Sequence, residues 1–305
     1  MPARTCLARS IALALLLPIA VPAAGRNDGG QPVDRRIDAA GTTAVAITNV
    51  AGSVAVIGTA RDDVHVTGLL GAGVERLELS REGNTVVVKV ILPPKSTMSR
   101  SGAATLRVEV PRGHRAEVSG VSADLRISGV AGAQDLRTVS GDVISGAAGA
   151  AVEIKSVSGD VTFNGGGRAG SVKVSTVSGD IDLRAIAGEL DAASISGDVE
   201  VGAAALQGGR IRTTSGEIDI DTVATAGTLL SVDSVSGDVD IRAHGSAGLV
   251  IEARSFSGDL TTCFGAEGRA TSRNGPGRRL EATRGQGGMQ LRVGSVSGEV
   301  AICDR

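Results

Sequence analysis

The 305 residues contain no tryptophan and no tyrosine, and phenylalanine occurs only at Phe163, Phe256 and Phe264. A thick core built on aromatic rings is excluded. The interior must be made of Val, Ile, Leu and Ala, which suit thin, regularly stacked layers. The same lack removes the flat faces on which sugar-binding sites stack a substrate. Histidine is equally scarce: His65, His114 and His244 stand apart, form no metal-ligand cluster and read as surface residues. No nucleophile with a partnered base is apparent, so no enzyme activity, catalytic residue, cofactor or metal is expected. Positive charge is not in excess either. With 31 Lys and Arg against 33 Asp and Glu, nucleic acid is not the expected partner.

Long apolar runs are few. The run Ile11 to Val21 follows Arg4 and Arg9 with no acid before it, and leads into Val21-Pro22-Ala23-Ala24. This is the pattern of a secretory signal over residues 1–24, too short to span a bilayer as a mature helix. Cys6 precedes the run, whereas a lipoprotein signal would place its cysteine at the end. The expectation is export to the periplasm or the cell exterior, with no transmembrane anchor in the mature chain.

Glycine is abundant, with 44 residues, and so is one phrase. TVSGDV at Thr138 returns as SVSGDV at Ser156, TVSGDI at Thr176, SISGDV at Ser194, TTSGEI at Thr213, SVSGDV at Ser234, SFSGDL at Ser255 and SVSGEV at Ser295. Taking the residue before each Ser-Gly as position zero, the steps are 18, 20, 18, 19, 21, 21 and 40 residues. Weaker copies stand at Val50 and Val121. Such a period means one supersecondary unit per repeat, stacked on its neighbours. After position zero the even positions alternate with polar odd ones, as in Gly179, Ile181 and Leu183 against Ser178, Asp180 and Asp182. This is a half-buried strand with the even positions inward. Before it, apolar residues fall at −5 and −3, with the other parity, as at Val152 and Ile154. A bulge or corner between −3 and zero reconciles the two. The fold expected is all-β: a parallel β-solenoid of about 20-residue coils, with strands about 4.8 Å apart.

The organisation expected is a flexible segment over 25–39, a β-rich N-terminal cap with antiparallel pairing over 40–115, and the repeat solenoid over 116–305. REGN reads as a hairpin turn, and Pro93-Pro94 as a stop. Residues 264–288 read as a degenerate coil or an excursion. Gly165, Gly167 and Gly170 fit GxGxxG, but a strand pattern follows, so they read as a return loop. Cys263 and Cys303 both fall at position +7. In an oxidising compartment they are expected to form a disulfide, which requires adjacent coils and makes 264–288 loop out.

Positions −1, +1 and +3 are expected to face outward as columns of hydroxyls, serines and acids. The serines include Ser158, Ser178, Ser196 and Ser236. The acids are Asp142, Asp160, Asp180, Asp198, Glu217, Asp238, Asp259 and Glu299. Neighbouring carboxylates about 5 Å apart repel by roughly 1 kcal/mol or more, so the column needs compensation. Backbone groups at the bend and the cations Arg137, Lys155, Arg212 and Arg254 at −2 are the expected sources. The alternative is a receptor surface for cations, a glycan or a protein. A calcium β-roll has a nine-residue period, about half the present one. A polysaccharide-active β-helix enzyme should break its repeat at the active site, whereas the acids here recur without distinction.

With ITNVAGSVAVIG (Ile47 to Gly58), LRVEVPRG (Leu106 to Gly113) and the VSGDV series in this order, the chain resembles the bacterial DUF4097 family of adhesin-like β-strand repeat proteins from Val33 to Arg305. The resemblance implies a β-solenoid of the envelope or exported space, with no catalytic residues to carry across. The functional expectation is a non-catalytic interaction, adhesin-like or scaffold module. Its partner is an unidentified envelope protein or glycan.

Overall fold

The computed structural model describes residues 30–93, 102–146, 149–272 and 276–304. The signal expected over 1–24, and Pro94, lie outside the described residues. Among the described residues there is no helix, and hence none long and apolar enough to cross a membrane. The strands form one mixed sheet.

Alternating sequence explains the strands. In each repeat a first strand, such as Val152–Ser158, buries positions −5, −3 and −1, and a second, such as Val161–Asn164, buries +4 and +6. The two form one rung. Successive rungs pair in parallel and in register, with Val152 opposite Val172, Ile154 opposite Val174, and Val161 opposite Ile181. The inward side chains stack into Val, Ile and Leu ladders, with Ile154, Ile181, Leu183, Ile211 and Ile218 fully buried. Phe163 is the one phenylalanine among the largest fully buried side chains. At about 25 cal/mol per Å2 of apolar surface removed from water, these ladders are the main stabilising term.

The change of parity lies later than expected. Position −1 continues the first strand's inward face, and the break falls on the Gly and acid at +2 and +3, between paired strands. Glycine explains why. Gly197 has φ +141°, and a Cβ there would stand 2.4 Å from the carbonyl oxygen of Gly179 on the neighbouring rung. The glycine therefore faces the backbone next door, not the core. Where +2 is alanine, at Ala123, the strand Arg115–Ser128 runs on without a break.

Chain order and spatial order differ at both ends. The first strands are β1 (Gln31–Asp38), β2 (Ala44–Thr59), β3 (Asp63–Leu70), β4 (Arg76–Glu82), β5 (Thr85–Ile91), β6 (Ala103–Pro111) and β7 (Arg115–Ser128). β2 carries the Val50 copy and lies between β7 on one side and β5 with β6 on the other, all parallel. Of the segment 25–39, expected to be flexible, residues 25–29 lie outside the described residues, and the rest is not free: β1 pairs antiparallel with β3 along its whole length, its apolar Val33 and Ile37 packing on the core. β3 pairs antiparallel with β6, and β4 with β5 through the two-residue turn Gly83-Asn84, the hairpin expected at REGN. The region 40–115 is thus part rung and part antiparallel cover.

At the other end the last strands, Met289–Ser297 and Val300–Cys303, lie between the Val235 rung and the Phe256 rung, parallel to both. Residues 264–288 make no full coil. Within them Arg278–Arg284 pairs antiparallel on the outer edge of Leu249–Ser257. Cys263 and Cys303 are joined across the adjacent rungs with Cα atoms 5.0 Å apart. Parallel pairing thus holds in the centre and antiparallel strands cover the two ends, where bare edges would invite aggregation.

Two measurements check this account. Gly197→Ala should cost roughly 2–4 kcal/mol in urea unfolding, since it combines backbone collision with a left-handed φ. Gly167→Ala, at φ +69° with nothing within 4 Å of the new Cβ, should cost about 1–2 kcal/mol. Reducing the disulfide, whose sequence separation is 40, should remove about 4 kcal/mol on the chain-entropy account, read as lost hydrogen-exchange protection over residues 289–303.

Candidate functional site

The corners of successive rungs align into one long face, and the columns on it differ from those expected. Position −1 is buried: Thr138, Ser156, Thr176, Ser194, Thr213, Ser234, Ser255 and Ser295 are all at most 7% exposed. Thr138, Thr176, Ser194 and Ser234 make hydrogen bonds there, whereas the buried hydroxyls of Ser156, Thr213, Ser255 and Ser295 have no partner among the described residues. Thr176 Oγ1 donates to the Gly179 carbonyl at 3.2 Å and accepts the Ser194 hydroxyl at 3.2 Å. At the Val50 copy, Asn49 takes this place and donates to the Ala104 carbonyl at 3.0 Å.

Position zero, assigned to the inner side, is exposed. Val121, Val139, Val157, Val177, Ile195, Val235, Val296 and Phe256 are 43–59% exposed. In spatial order they form one aliphatic column, interrupted only by Thr214. At the ordinary spacing of paired strands it is roughly 38 Å long. The parity argument missed it because apolar character was taken as a sign of burial. A residue that is apolar at a position next to an exposed serine was the available signal.

Beside the column stand the predicted serines. Ser158, Ser178 and Ser196 are exposed and paired rung to rung, and Ser236 sits opposite Ser215. Beyond the glycines the predicted acids form an exposed column. Their compensation comes largely from the backbone: Oδ1 of every aspartate of the column except Asp259 accepts the N–H of the acid on the next rung. Asp124 holds the N–H of Asp142 at 3.2 Å, Asp142 that of Asp160 at 3.1 Å, and Asp160 that of Asp180 at 3.0 Å. Asp180 holds Asp198 at 2.9 Å and Asp198 holds Glu217 at 2.8 Å. Asp238 holds Glu299 at 2.7 Å, in spatial and not chain order. Among the described residues Glu217 passes no such bond to Asp238. Asp259 instead meets Arg278 at 2.9 Å.

The cations at −2 do not compensate this column. Arg137 pairs with Asp135 at 2.8 Å, Lys155 with Glu153 at 2.6 Å, Arg212 with Asp191 at 3.2 Å and Arg254 with Glu252 at 2.6 Å. These acids lie at −4, on the opposite side of the aliphatic column. Lys155 holds the Glu153 carboxyl below its ordinary range.

At its far end the column runs into a groove of about 790 Å3, floored by Val235, Val296 and Phe256 and walled by residues of the excursion. Its four arginines are ion-paired: Arg212 with Asp191, Arg254 with Glu252, Arg279 with Glu252 and Glu281, and Arg278 with Asp259. At the opposite end, His65 lies 2.8 Å from Asp34 and 3.6 Å from Glu109. Burial would raise the Glu109 pKa, but Arg107, Arg61 and His65 together hold it below its ordinary value. His114 bonds Thr42 Oγ1 at 2.9 Å and His244 faces Asp221 at 3.2 Å, so each histidine is partly covered and has a partner. Among the described residues no group of three or more His, Cys, Asp or Glu side chains is placed to hold a metal ion. Gly165 and Gly167 lie in the loop between Val161–Asn164 and Ala169–Ser175, and Gly170 lies in the second of these strands. No dinucleotide-binding helix follows.

Solved structures similar to this chain include a "putative adhesin" from Bacteroides fragilis, at 13% identity and TM-score 0.42, with 89% of this chain and 97% of that one covered. A "putative lipid binding protein" from Parabacteroides distasonis is 12% identical with TM-score 0.38, covering 90% and 98%. A "putative adhesin" from the same species is 12% identical with TM-score 0.36, again covering 90% and 98%. No curated protein matches the chain in sequence. The sequence profile described as Toastrack DUF4097 matches residues 37–205 and 186–303, which together take in every rung from β2 to the disulfide. The chain therefore belongs to the Toastrack DUF4097 family.

Proposed function

We propose that the protein is an exported, non-catalytic β-solenoid that serves as an interaction or scaffold module of the cell envelope. The rungs wind around the interior ladders, and the corner face is the binding surface. The observation that carries this reading is the aliphatic column: a row of Val, Ile and Phe side chains that the fold leaves in water on rung after rung. Exposed apolar patches of this length mark interaction sites.

The occupant this cross-section fits is a protein. The face is apolar along its middle line and polar on both margins, with ion-paired residues on one side and serines and acids on the other, the pattern of a protein interface. A glycan would be served better by aromatic platforms, which the face lacks apart from Phe256. The acids act first as architecture, because each aspartate in the relay is engaged by the next rung's N–H.

The test separates column from ladder. A chain with Val139, Val157, Val177 and Ile195 changed to Ser should keep its stability within about 1 kcal/mol per site. It should also lose whatever the parent retains from peptidoglycan, outer-membrane and soluble periplasmic fractions. A chain with Asp160, Asp180, Asp198 and Asp238 changed to Asn keeps its acceptor oxygens and should retain the partner. Loss by the Asn chain alone would move the site to the carboxylates; equal retention by all three would remove the corner face from the function.

Asp180→Ala gives a separate check on the ladder, since it removes the acceptor as well as the charge. It should lower unfolding free energy by about 1 kcal/mol, with a smaller change for Asp180→Asn.

A further inference from the structure

The residues that close the C-terminal end are not the last rung of the stack. Met289–Ser297 and Val300–Cys303 fill an internal slot whose two walls, the Val235 rung and the Phe256 rung, are both complete earlier in the chain. The inserted strands are as buried as any in the protein, with Met289 and Val300 at 0% and Leu291 and Ile302 at 1% exposure. Without them both walls would present unpaired N–H and C=O groups toward each other across a gap of two strand spacings, which is costly. The slot is also selective. Its floor needs a glycine, since a Cβ at Gly298 would stand 2.3 Å from the Gly237 carbonyl oxygen, and Asp238 presents Oδ1 to the incoming Glu299 N–H.

The inserted strand is connected through a short hinge. Arg278–Arg284 stays on the outer edge of Leu249–Ser257, and Gly285-Gln286-Gly287-Gly288 then turns the chain over that strand into the slot. Gly285 and Gly287 have φ +62° and +68°, and a glycine-rich hinge straightens with little steric resistance. Among the described residues the covalent tie on the strand, besides its own backbone, is the Cys263–Cys303 bridge at its far end.

We infer that the slot is a strand-acceptor site and that a second copy of this chain can fill it, each copy donating residues 289–303 to the other. The donated strand carries the same SVSGEV phrase and makes the same register, so the exchanged and closed forms contain identical contacts and differ only at the hinge. The tether holds a chain's own strand near its slot at an effective concentration on the order of millimolar, so the closed form prevails when the chain is dilute. Bridge formation then fixes whichever form is present: the thiols of Cys263 and Cys303 give up two protons and two electrons to an oxidant such as glutathione disulfide, which leaves as two glutathiones. This inference is independent of the corner face.

The test uses two chains, both carrying Cys6→Ala. One also carries Cys263→Ala and retains Cys303; the other carries Cys303→Ala and retains Cys263. Neither can form the bridge alone. They are unfolded together, refolded with glutathione disulfide and separated by size exclusion with light scattering and a non-reducing gel. The expected product is a dimer joined by one Cys263–Cys303 bond, identified by peptide mass. Its ratio to monomer should rise roughly tenfold for tenfold more chain. Adding Val300→Lys and Ile302→Lys to the Cys303-bearing chain keeps its strand out of the slot and should abolish that dimer. No mixed dimer at any concentration would overturn the inference. So would a mixed dimer formed equally well by the lysine-bearing chain, because the bond would then report thiol oxidation without exchange.

Discussion

The structure depends on backbone standing on backbone at the Ser-Gly-Asp corner. Each rung must turn there while staying one strand spacing from its neighbours, which leaves no room for a side chain between the glycine of one rung and the carbonyl of the next. A Cβ at Gly216, Gly237 or Gly298 would stand 2.0–2.3 Å from such an oxygen. The next residue closes the junction: an aspartate reaches over one rung to the N–H of its counterpart and satisfies a donor that the broken ladder would leave open. Glycine permits the approach and aspartate holds it, so the two recur together. The ladders of Val, Ile and Leu supply most of the stabilisation, but they stack in register because the corner fixes where each rung sits.

Much of this was legible because the constraint repeats. The period, the two strands per rung, the inward residues at −5, −3, +4 and +6, the hairpin at REGN and the Cys263–Cys303 bridge all follow from patterns that packing imposes directly. What was misread lies at the corner itself. A valine followed by Ser-Gly reads as the last residue of a buried set, yet Val157 faces water while Ser156 beside it faces inward. Polarity is a poor guide where a side chain as small as serine fits inside the corner and an exposed valine meets no steric objection. The order of the rungs was equally hidden. The copy at Val296 matches its neighbours as well as any other does, and a phrase that fits every slot cannot say which slot it occupies. The 40-residue step from Phe256 to Val296 was the only trace of the insertion.

Both ends solve the problem that any stack of parallel strands has, an outermost rung with an unpaired edge. At each end the chain lays antiparallel strands over the edge and places a terminal rung one step inside it. β2 lies beneath β5 and β6, and Met289–Ser297 beneath Leu249–Ser257. The outermost rungs are therefore paired on both sides, each with at least one partner distant in sequence. This ties local rungs into a cooperative whole that a simple succession of nearest neighbours would lack. At the C-terminal end a disulfide adds a covalent tie across the same junction.

The corner also divides structure from recognition. Positions −1, +2 and +3 are each used by the stack: the small side chain at −1 is buried, the glycine lies against the next rung, and the aspartates of the relay hold the next N–H. Position zero projects away from the core, and its side chains remain about half exposed on rung after rung. A fold that needed nothing there would tolerate polar residues, as it does at Thr214, and solubility would favour them. Aliphatic side chains stand at this position on the rungs to either side, ending in Phe256 at the mouth of the groove. Their recurrence at a position the core leaves half exposed is the physical reason to propose binding at this column, and to regard the acids beside it as the frame that keeps the column straight.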